Sequence, residues 1–435
     1  MKLSADRLAS RLEAELGAGA VNSQPELLGA RAVDGIHPLL ICSPSNATQV
    51  SAALRICVEA DSAVTPWGGG TAMGIGNLPD RAAIIIEMSQ LNRVVEHDHA
   101  NLTSTMQSGI TLAASQEFTA AERQFVPFDA PYPERSTIGG IVAANLNGAR
   151  RGCYGSVRDL VIGMRVALPD GKQIKAGGKV VKNVAGYDMC KLFVGSLGTL
   201  GIITEVTVRM TPVPETAATV AVSGDLTELL ELARELSNST LLPAAVLLVN
   251  RTANGAEQSR QRGWTLAVRA EGFAATVTRH LDELTSMANQ FGLIAELLKD
   301  ASHQTFWDEI RDFPLLPDGL IYRVTLPRAA LAEFVKRIET WNSDGARPAI
   351  VADLVAGILW IAFALNQPVA GRFEKLISLA GEQRGQAIVL VSPPEFKRDV
   401  DVWGPAPPAF SLMRRIKEQF DPKRLMNPGR FVGRL

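Results

Sequence analysis

From residue 38 to residue 211, short apolar runs alternate with glycine-rich turns, the rhythm of compact strands and helices. Apolar and β-branched runs bounded by Gly, Pro, Asn or Asp predict strands at 38–42, 62–66, 82–88, 102–107, 161–168 and 201–211. Helical spacing predicts helices at 47–60, behind Ser45-Asn46, and at 112–121 and 138–145. Pro169-Asp170-Gly171 is a turn signal, and Leu8, Leu12 and Leu16 mark one face of an N-terminal helix.

The rhythm then changes. Between 217 and 391 the pattern reads strand, helix, strand, strand, helix, strand, and then the same order again. The first set is 217–223, 226–237, 243–249, 264–271, 274–291 and 293–298. The second is 319–326, 328–341, 348–353, 357–364, 369–382 and 386–391, with a helix near 302–312 between the two. Each set has the split β-α-β order of a ferredoxin-like unit, an antiparallel sheet with helices on one face. Pro393-Pro394 and Pro405-Ala406-Pro407-Pro408 mark a linker, followed by a basic helix whose Arg414, Arg415 and Lys417 read as a solvated face, with Lys423 and Arg424 beyond it. The fold class is therefore α+β. Its expected divisions are 1–212, 213–404 and a C-terminal segment 405–435 returning to the first domain.

Composition narrows the possible functions. Lys plus Arg is 44 and Asp plus Glu is 45 in 435 residues, a balance that gives nucleic acid no positively charged footprint. Stretch 349–365 holds one charge, Asp353, but is shorter than the roughly 20 residues of a membrane span and is broken at Asp353 and Gly357, so two buried strands are expected. Charges at Asp6, Arg7, Arg11 and Glu13 exclude a signal peptide, and the expected location is cytoplasmic. Cys42, Cys57, Cys153 and Cys190 are too scattered to ligate zinc or an iron–sulfur cluster. His97-Asp98-His99 looks like a metal site but is read as a solvated turn before a strand, so no metal is expected.

Three loops carry chemistry. Pro66-Trp67-Gly68-Gly69-Gly70-Thr71-Ala72 follows a strand, and consecutive glycines can turn several backbone N–H groups onto one anion. A phosphate or pyrophosphate suits it, and a branched side chain at Gly69 would take up the ligand's space. The dinucleotide fingerprint is excluded, because Gly68 and Gly70 are followed by Met73 rather than by a third glycine opening a helix; a Walker loop is excluded, because Gly178-Lys179-Val180 lacks the hydroxyl. The second loop runs from Ser136-Thr137 through Gly139-Gly140 to Asn145, and the third from Gly195 through Gly198 and Gly201-Ile202 to Glu205.

In this order, with Tyr154-Gly155-Ser156-Val157-Arg158-Asp159, Lys182-Asn183-Val184-Ala185-Gly186-Tyr187-Asp188, Phe420-Asp421-Pro422 and Asn427-Pro428-Gly429-Arg430, the loops resemble the vanillyl-alcohol-oxidase or p-cresol-methylhydroxylase-type (PCMH-type) FAD-binding flavoproteins. Within that family they are similar to FAD-binding subunits of bacterial glycolate oxidase. The resemblance implies a two-part FAD-binding domain and an antiparallel-sheet cap of two ferredoxin-like units. It implies that Pro66, Trp67, Gly68, Gly69, Gly70, Thr71 and Ala72 hold the pyrophosphate. Ser136, Thr137, Gly139, Gly140 and Asn145 would meet flavin or phosphate, and Gly198, Gly201 and Ile202 the adenine and ribose. The flavin ring would lie where the FAD domain meets the cap. It also implies a catalytic flavoprotein subunit and an iron–sulfur subunit as partners, through which the chain would reach a membrane surface.

Where the family can tether FAD through a His in the first loop, this chain has Gly70-Thr71-Ala72, so noncovalent FAD is expected; Cys153 is the alternative attachment point. Related D-2-hydroxyacid dehydrogenases hold the substrate carboxylate with an Arg and a Thr where this chain has Val181 and Ala185, and carry a His-rich metal segment with no counterpart here. Arg135 and Lys182 are the nearest cations, and no catalytic residue is assigned. Three functions stay open: an FAD subunit of a glycolate oxidase complex, a self-sufficient dehydrogenase of another alcohol or hydroxy acid, and a subunit whose FAD only stabilises the fold.

Overall fold

The triplet Ile84-Ile85-Ile86, apolar without alternation, needs cover on both faces. It forms the strand Ile84–Glu87, flanked in parallel by Leu40–Cys42 and Val64–Trp67. The helix Ala47–Glu59 provides part of that cover; its N-cap Asn46 accepts the N–H of Gln49. The helix Ala5–Leu16 presses Leu8, Leu12 and Leu16 into the same core. A second, antiparallel sheet runs in the order Val94–Asp98, Thr103–Gln107, Ile202–Arg209, Val161–Ala167, Gln173–Gly177, and its Ala167 and Ile202 join the core of the first. This computed structural model describes residues 4–179, 187–250, 263–316, 319–341, 347–363 and 371–435.

The chain divides into two units. The first is Met1–Leu146, Ser156–Pro212 and Pro393–Leu435; the second is Asn147–Gly155 and Val213–Ser392. Thus Asn147–Gly155, grouped above with 1–212, packs with the second unit, and 393–404, grouped with 213–404, packs with the first.

The strands and helices expected between 38 and 211 form, each ending within two residues of its expected limits. Among the strands that were not expected, Val94–Asp98 and Gln173–Gly177 are both sheet edges whose residues are mostly half-buried or exposed. The first corrects the reading of His97-Asp98-His99: His97 and Asp98 end a strand, and only His99 lies in the turn. A second correction concerns the C-terminal helix Phe410–Phe420. Lys417 is buried rather than solvated, pairing with Asp421 at 2.7 Å and donating to the carbonyls of Thr199 and Met426. Arg414 and Arg415 do face solvent.

The second unit is one antiparallel sheet of eight strands. Across it run Ile294–Leu298, Thr216–Gly224, Trp264–Gly272, Ala245–Val249, Ala349–Asp353, Ile358–Phe363, Leu320–Thr325 and Gln386–Val391. Each half is a ferredoxin-like βαββαβ unit, and the halves join where Ala245–Val249 pairs with Ala349–Asp353. Leu226, Leu229, Leu232 and Leu236 bury one face of the helix Leu226–Asn238, as Leu331, Phe334, Val335 and Ile338 do for Leu331–Glu339. The helix Asp300–Asp312 links the halves. Most of the apolar stretch 349–365 is the hairpin Ala349–Asp353 and Ile358–Phe363. Among the described residues no helix is long and apolar enough to cross a membrane.

Asp353 closes that hairpin. Its Oδ1 accepts the N–H groups of Val355 and Ala356, while Oδ2 is buried without a partner. Burial pushes its pKa from 3.8 up to about 6, against the pull of those two hydrogen bonds. A raised folded-state pKa means the folded protein holds this proton more tightly than the unfolded chain does. The contribution is therefore intact below about pH 4 and lost as pH rises through about 6. The expected outcome is that denaturant midpoints of wild type fall between these pH values relative to Asp353→Asn; parallel curves would contradict it.

Candidate functional site

The strand Val64–Trp67 runs directly into the first glycine loop. Gly70 adopts φ +76°, and a Cβ there would lie 2.8 Å from the Trp67 ring. A Cβ on Gly69 would overlap the carbonyl oxygen of Arg135, and one on Gly68 the hydroxyl of Thr137. The glycines here admit the second loop rather than only a ligand, which corrects the reason given above for Gly69: even alanine would force the loops apart. Thr71 and Ser136 add a hydroxyl–hydroxyl contact of 2.9 Å. Trp67 is held from behind by Arg31, 5.4 Å from its ring centroid, and Arg31 pairs with Glu87. Among the described residues, the backbone N–H groups of Gly68, Gly69, Gly70, Thr71 and Ala72 find no acceptor within the chain.

The chain beyond this loop is clamped by buried charge. Arg430 Nη1 donates to Asp34 Oδ2 at 2.7 Å and to the carbonyl of Asn77 at 2.8 Å, and Nη2 to the carbonyls of Met73 and Ile75. Lys397 Nζ bonds the other oxygen of Asp34 at 2.8 Å and the Gly74 carbonyl at 2.6 Å. Desolvation lowers the pKa values of Lys397 and Arg430, and Asp34 opposes the shift in both. The C-terminal segment also enters the sheet: Asn427 donates its N–H to Val64, whose own N–H donates to Leu425. Asn427 Nδ2 reaches the Leu197 carbonyl of the third loop.

A cleft in the first unit results, enclosing about 780 Å³ of atom-free space, part of it open to solvent. Of the residues expected at the site, Pro66, Trp67, Gly68, Gly69, Gly70, Thr71, Ala72, Thr137, Gly139, Gly140, Gly198, Gly201 and Ile202 line it. Ser136 and Asn145 do not: Ser136 donates to the Pro131 carbonyl, and Asn145 is an exposed left-handed helix cap with φ 51°. Arg135 is exposed, and Val181, Lys182 and Ala185 lie outside the described residues.

Sequence reading missed Met88, Ser108 and Arg430 as lining residues. Arg430 stood in a recognised motif without a role, whereas Ser108 carries no motif at all. Its hydroxyl is buried beside the cleft without a partner. Five unpaired N–H donors and an orphaned hydroxyl in one cleft fit an anionic dinucleotide. Among the described residues no three His, Cys, Asp or Glu side chains converge as a metal site.

Such a fold and cleft define a flavoprotein, and comparison with known proteins agrees. The FAD binding domain family matches residues 38–177, and the C-terminal domain of FAD linked oxidases matches residues 405–431. Residues 38–177 form an FAD binding domain, and the chain is an FAD-dependent oxidoreductase. It is 28% identical to glycolate oxidase subunit GlcD of Bacillus subtilis (strain 168), over 91% of this chain and 89% of that one. It is also 28% identical to a D-lactate dehydrogenase of Archaeoglobus fulgidus, over 94% of each. Its fold is similar to that of p-cresol methylhydroxylase solved with substrate bound, with a TM-score of 0.75 over 98% of this chain and 96% of that one at 15% identity.

Gly140 offers the cleanest probe of the cleft. A Cβ there meets only the Thr137 hydroxyl, at 3.1 Å, so a larger side chain would project into the cleft without separating the loops. Gly140→Leu should keep its circular dichroism and lose most bound FAD, read as the 450 nm flavin absorbance per chain; full occupancy would remove Gly140 from the cofactor's path.

Proposed function

We propose that this chain is the FAD-binding subunit of a 2-hydroxy-acid-oxidising complex of the glycolate oxidase type, and that it holds FAD noncovalently. The observation that carries the cofactor assignment is the row of unpaired N–H groups from Gly68 to Ala72, set in a cleft that all three glycine loops line. Those donors would hold the pyrophosphate, Gly139 and Gly140 would lie against flavin or phosphate, and Gly198, Gly201 and Ile202 would take the adenine and ribose side. Bound FAD supplies a two-electron acceptor; the chain's own task is to fix its position and keep its phosphates paired. Noncovalent binding is supported by the first loop, which has neither His nor Cys, and by Cys153, whose thiol pKa is raised by burial.

The substrate class follows from the relatives: a glycolate oxidase subunit and a D-lactate dehydrogenase both bear the names of 2-hydroxy-acid enzymes. Assignment as a subunit rests on the residues at 181 and 185, Val and Ala, which cannot hold a carboxylate as Arg and Thr would. A catalytic flavoprotein chain and an iron–sulfur chain would then complete the complex. The second reading, a self-sufficient dehydrogenase, is favoured by the near full-length similarity to D-lactate dehydrogenase.

Acid precipitation of the purified chain should leave yellow FAD in the supernatant; colour retained in the pellet would mean covalent attachment. Glycolate or D-lactate added under argon should bleach the flavin only after partner chains are co-purified with it. Bleaching of the isolated chain would establish the second reading instead.

A further inference from the structure

The third glycine loop keeps a backbone shape that needs support. Leu197 and Gly198 both take left-handed angles, φ 51° and 69°, a region that disfavours leucine. A Cβ on Gly198 would stand 2.8 Å from Pro66 Cγ in the first loop, so the third has little room to shift. Among the described residues the N–H groups of Gly198, Leu200 and Gly201 meet no acceptor within the chain. The carbonyl groups are held instead. Leu197 accepts from Asn427 Nδ2 at 2.7 Å, and Thr199 accepts from Lys417 Nζ at 2.8 Å. Across a trans peptide C=O and N–H point in opposite directions. These two bonds therefore also turn the N–H groups of Gly198 and Leu200 away from the C-terminal segment.

Lys417 lies in the helix Phe410–Phe420, buried together with Asp421. An ammonium has three donors, and this one uses all of them, on the carbonyls of Thr199 and Met426 and on Asp421 Oδ2. Asp421 in turn accepts the N–H groups of Leu425 and Met426, at 3.0 and 2.8 Å. Leu425 and Asn427 pair with Val64, on the strand that runs into the first loop. One buried cation thus joins the third loop to the strand that carries the first. A buried pair adds little net stability over apolar side chains, so the contribution of Lys417 is the place it gives the Thr199 carbonyl. Neither Lys417 nor Thr199 lines the cleft, but Gly198 and Gly201, on either side of Thr199, do.

We propose that Lys417 is a positioning residue for the adenosine end of FAD, acting through the Thr199 carbonyl to fix the third loop. Its loss then weakens the hold on the nucleotide half of the cofactor and spares the flavin half. The adenosine assignment of this loop is the one proposed above; the clamp rests on the hydrogen bonds of Lys417.

ADP and FMN carry the two halves of FAD, and each is set to compete with FAD for the full-length protein freed of its cofactor. Lys417→Met should weaken ADP roughly tenfold, the scale of a lost hydrogen bond to a charged group, and change FMN by less than about twofold. Lys417→Met/Asp421→Asn removes both buried charges and serves if the single variant does not fold. It should melt nearer to wild type yet keep the same split, because the Thr199 carbonyl stays unheld. Unchanged ADP affinity in either folded variant would overturn the proposal. So would equal weakening of ADP and FMN, which would make Lys417 a support of the whole domain. Hydrogen exchange of the wild-type protein tests the reading beneath: ADP should slow exchange of the amides at residues 198–201, and FMN should not. No protection by ADP would remove the adenosine assignment and the proposal with it, whereas protection in wild type with unchanged ADP affinity in the variants would overturn the clamp alone.

Discussion

One buried carboxylate, Asp34, organises the cofactor cleft by holding two buried cations that come from the other end of the chain. Arg430 and Lys397 share its two oxygens and direct further donors to the carbonyls of Met73, Gly74, Ile75 and Asn77. The stretch following the first glycine loop is thereby fixed by its carbonyl groups, while the N–H groups of Gly68 to Ala72 are left unpaired. Buried ion pairs add little net stability compared with apolar packing, but removing one partner costs about 3–5 kcal/mol. Their contribution here is geometric: a loop with few side chains of its own is held in one shape.

The same constraint explains the density of glycine. Gly68 and Gly69 lie against the Thr137 side chain and the Arg135 carbonyl, Gly139 against Ser108 and Gly198 against the Pro66 ring, so the glycines allow close packing around the cleft. Close contact of this kind leaves main-chain donors as the principal polar groups of the first loop. Such a surface suits phosphates, which take many N–H donors. Function and packing therefore act on the same glycines, and Gly140, whose Cβ would meet only the Thr137 hydroxyl, is where they separate.

Much of the architecture was legible in the sequence, because apolar periodicity changes between 38–211 and 217–391 and the second pattern repeats. The apolar run around Ile84–Ile86 announced a strand, and the leucines of Leu226–Asn238 a helix. Val94–Asp98 and Gln173–Gly177 escaped because edge strands carry polar residues that read as loop. Lys417 was taken for a solvated charge because burial depends on Asp421 and the carbonyls of Thr199 and Met426, none of which periodicity reveals. The candidate site was legible in its glycine loops and illegible in its clamp. Asp34 and Arg430 are 396 residues apart, and a lone Asp after Ala32-Val33 carries no pattern.

The central claim is that the Asp34–Arg430 pair shapes the FAD site rather than only supporting the fold. Its most direct test is FAD affinity, measured by fluorescence titration of the apoprotein, for wild type, Arg430→Met, Asp34→Asn and the double variant. Each single variant should lose roughly tenfold or more in affinity while remaining folded, and the double variant should lose less than the two losses combined, because both break one interaction. Unchanged FAD affinity in folded Arg430→Met, or losses that simply add, would contradict the claim.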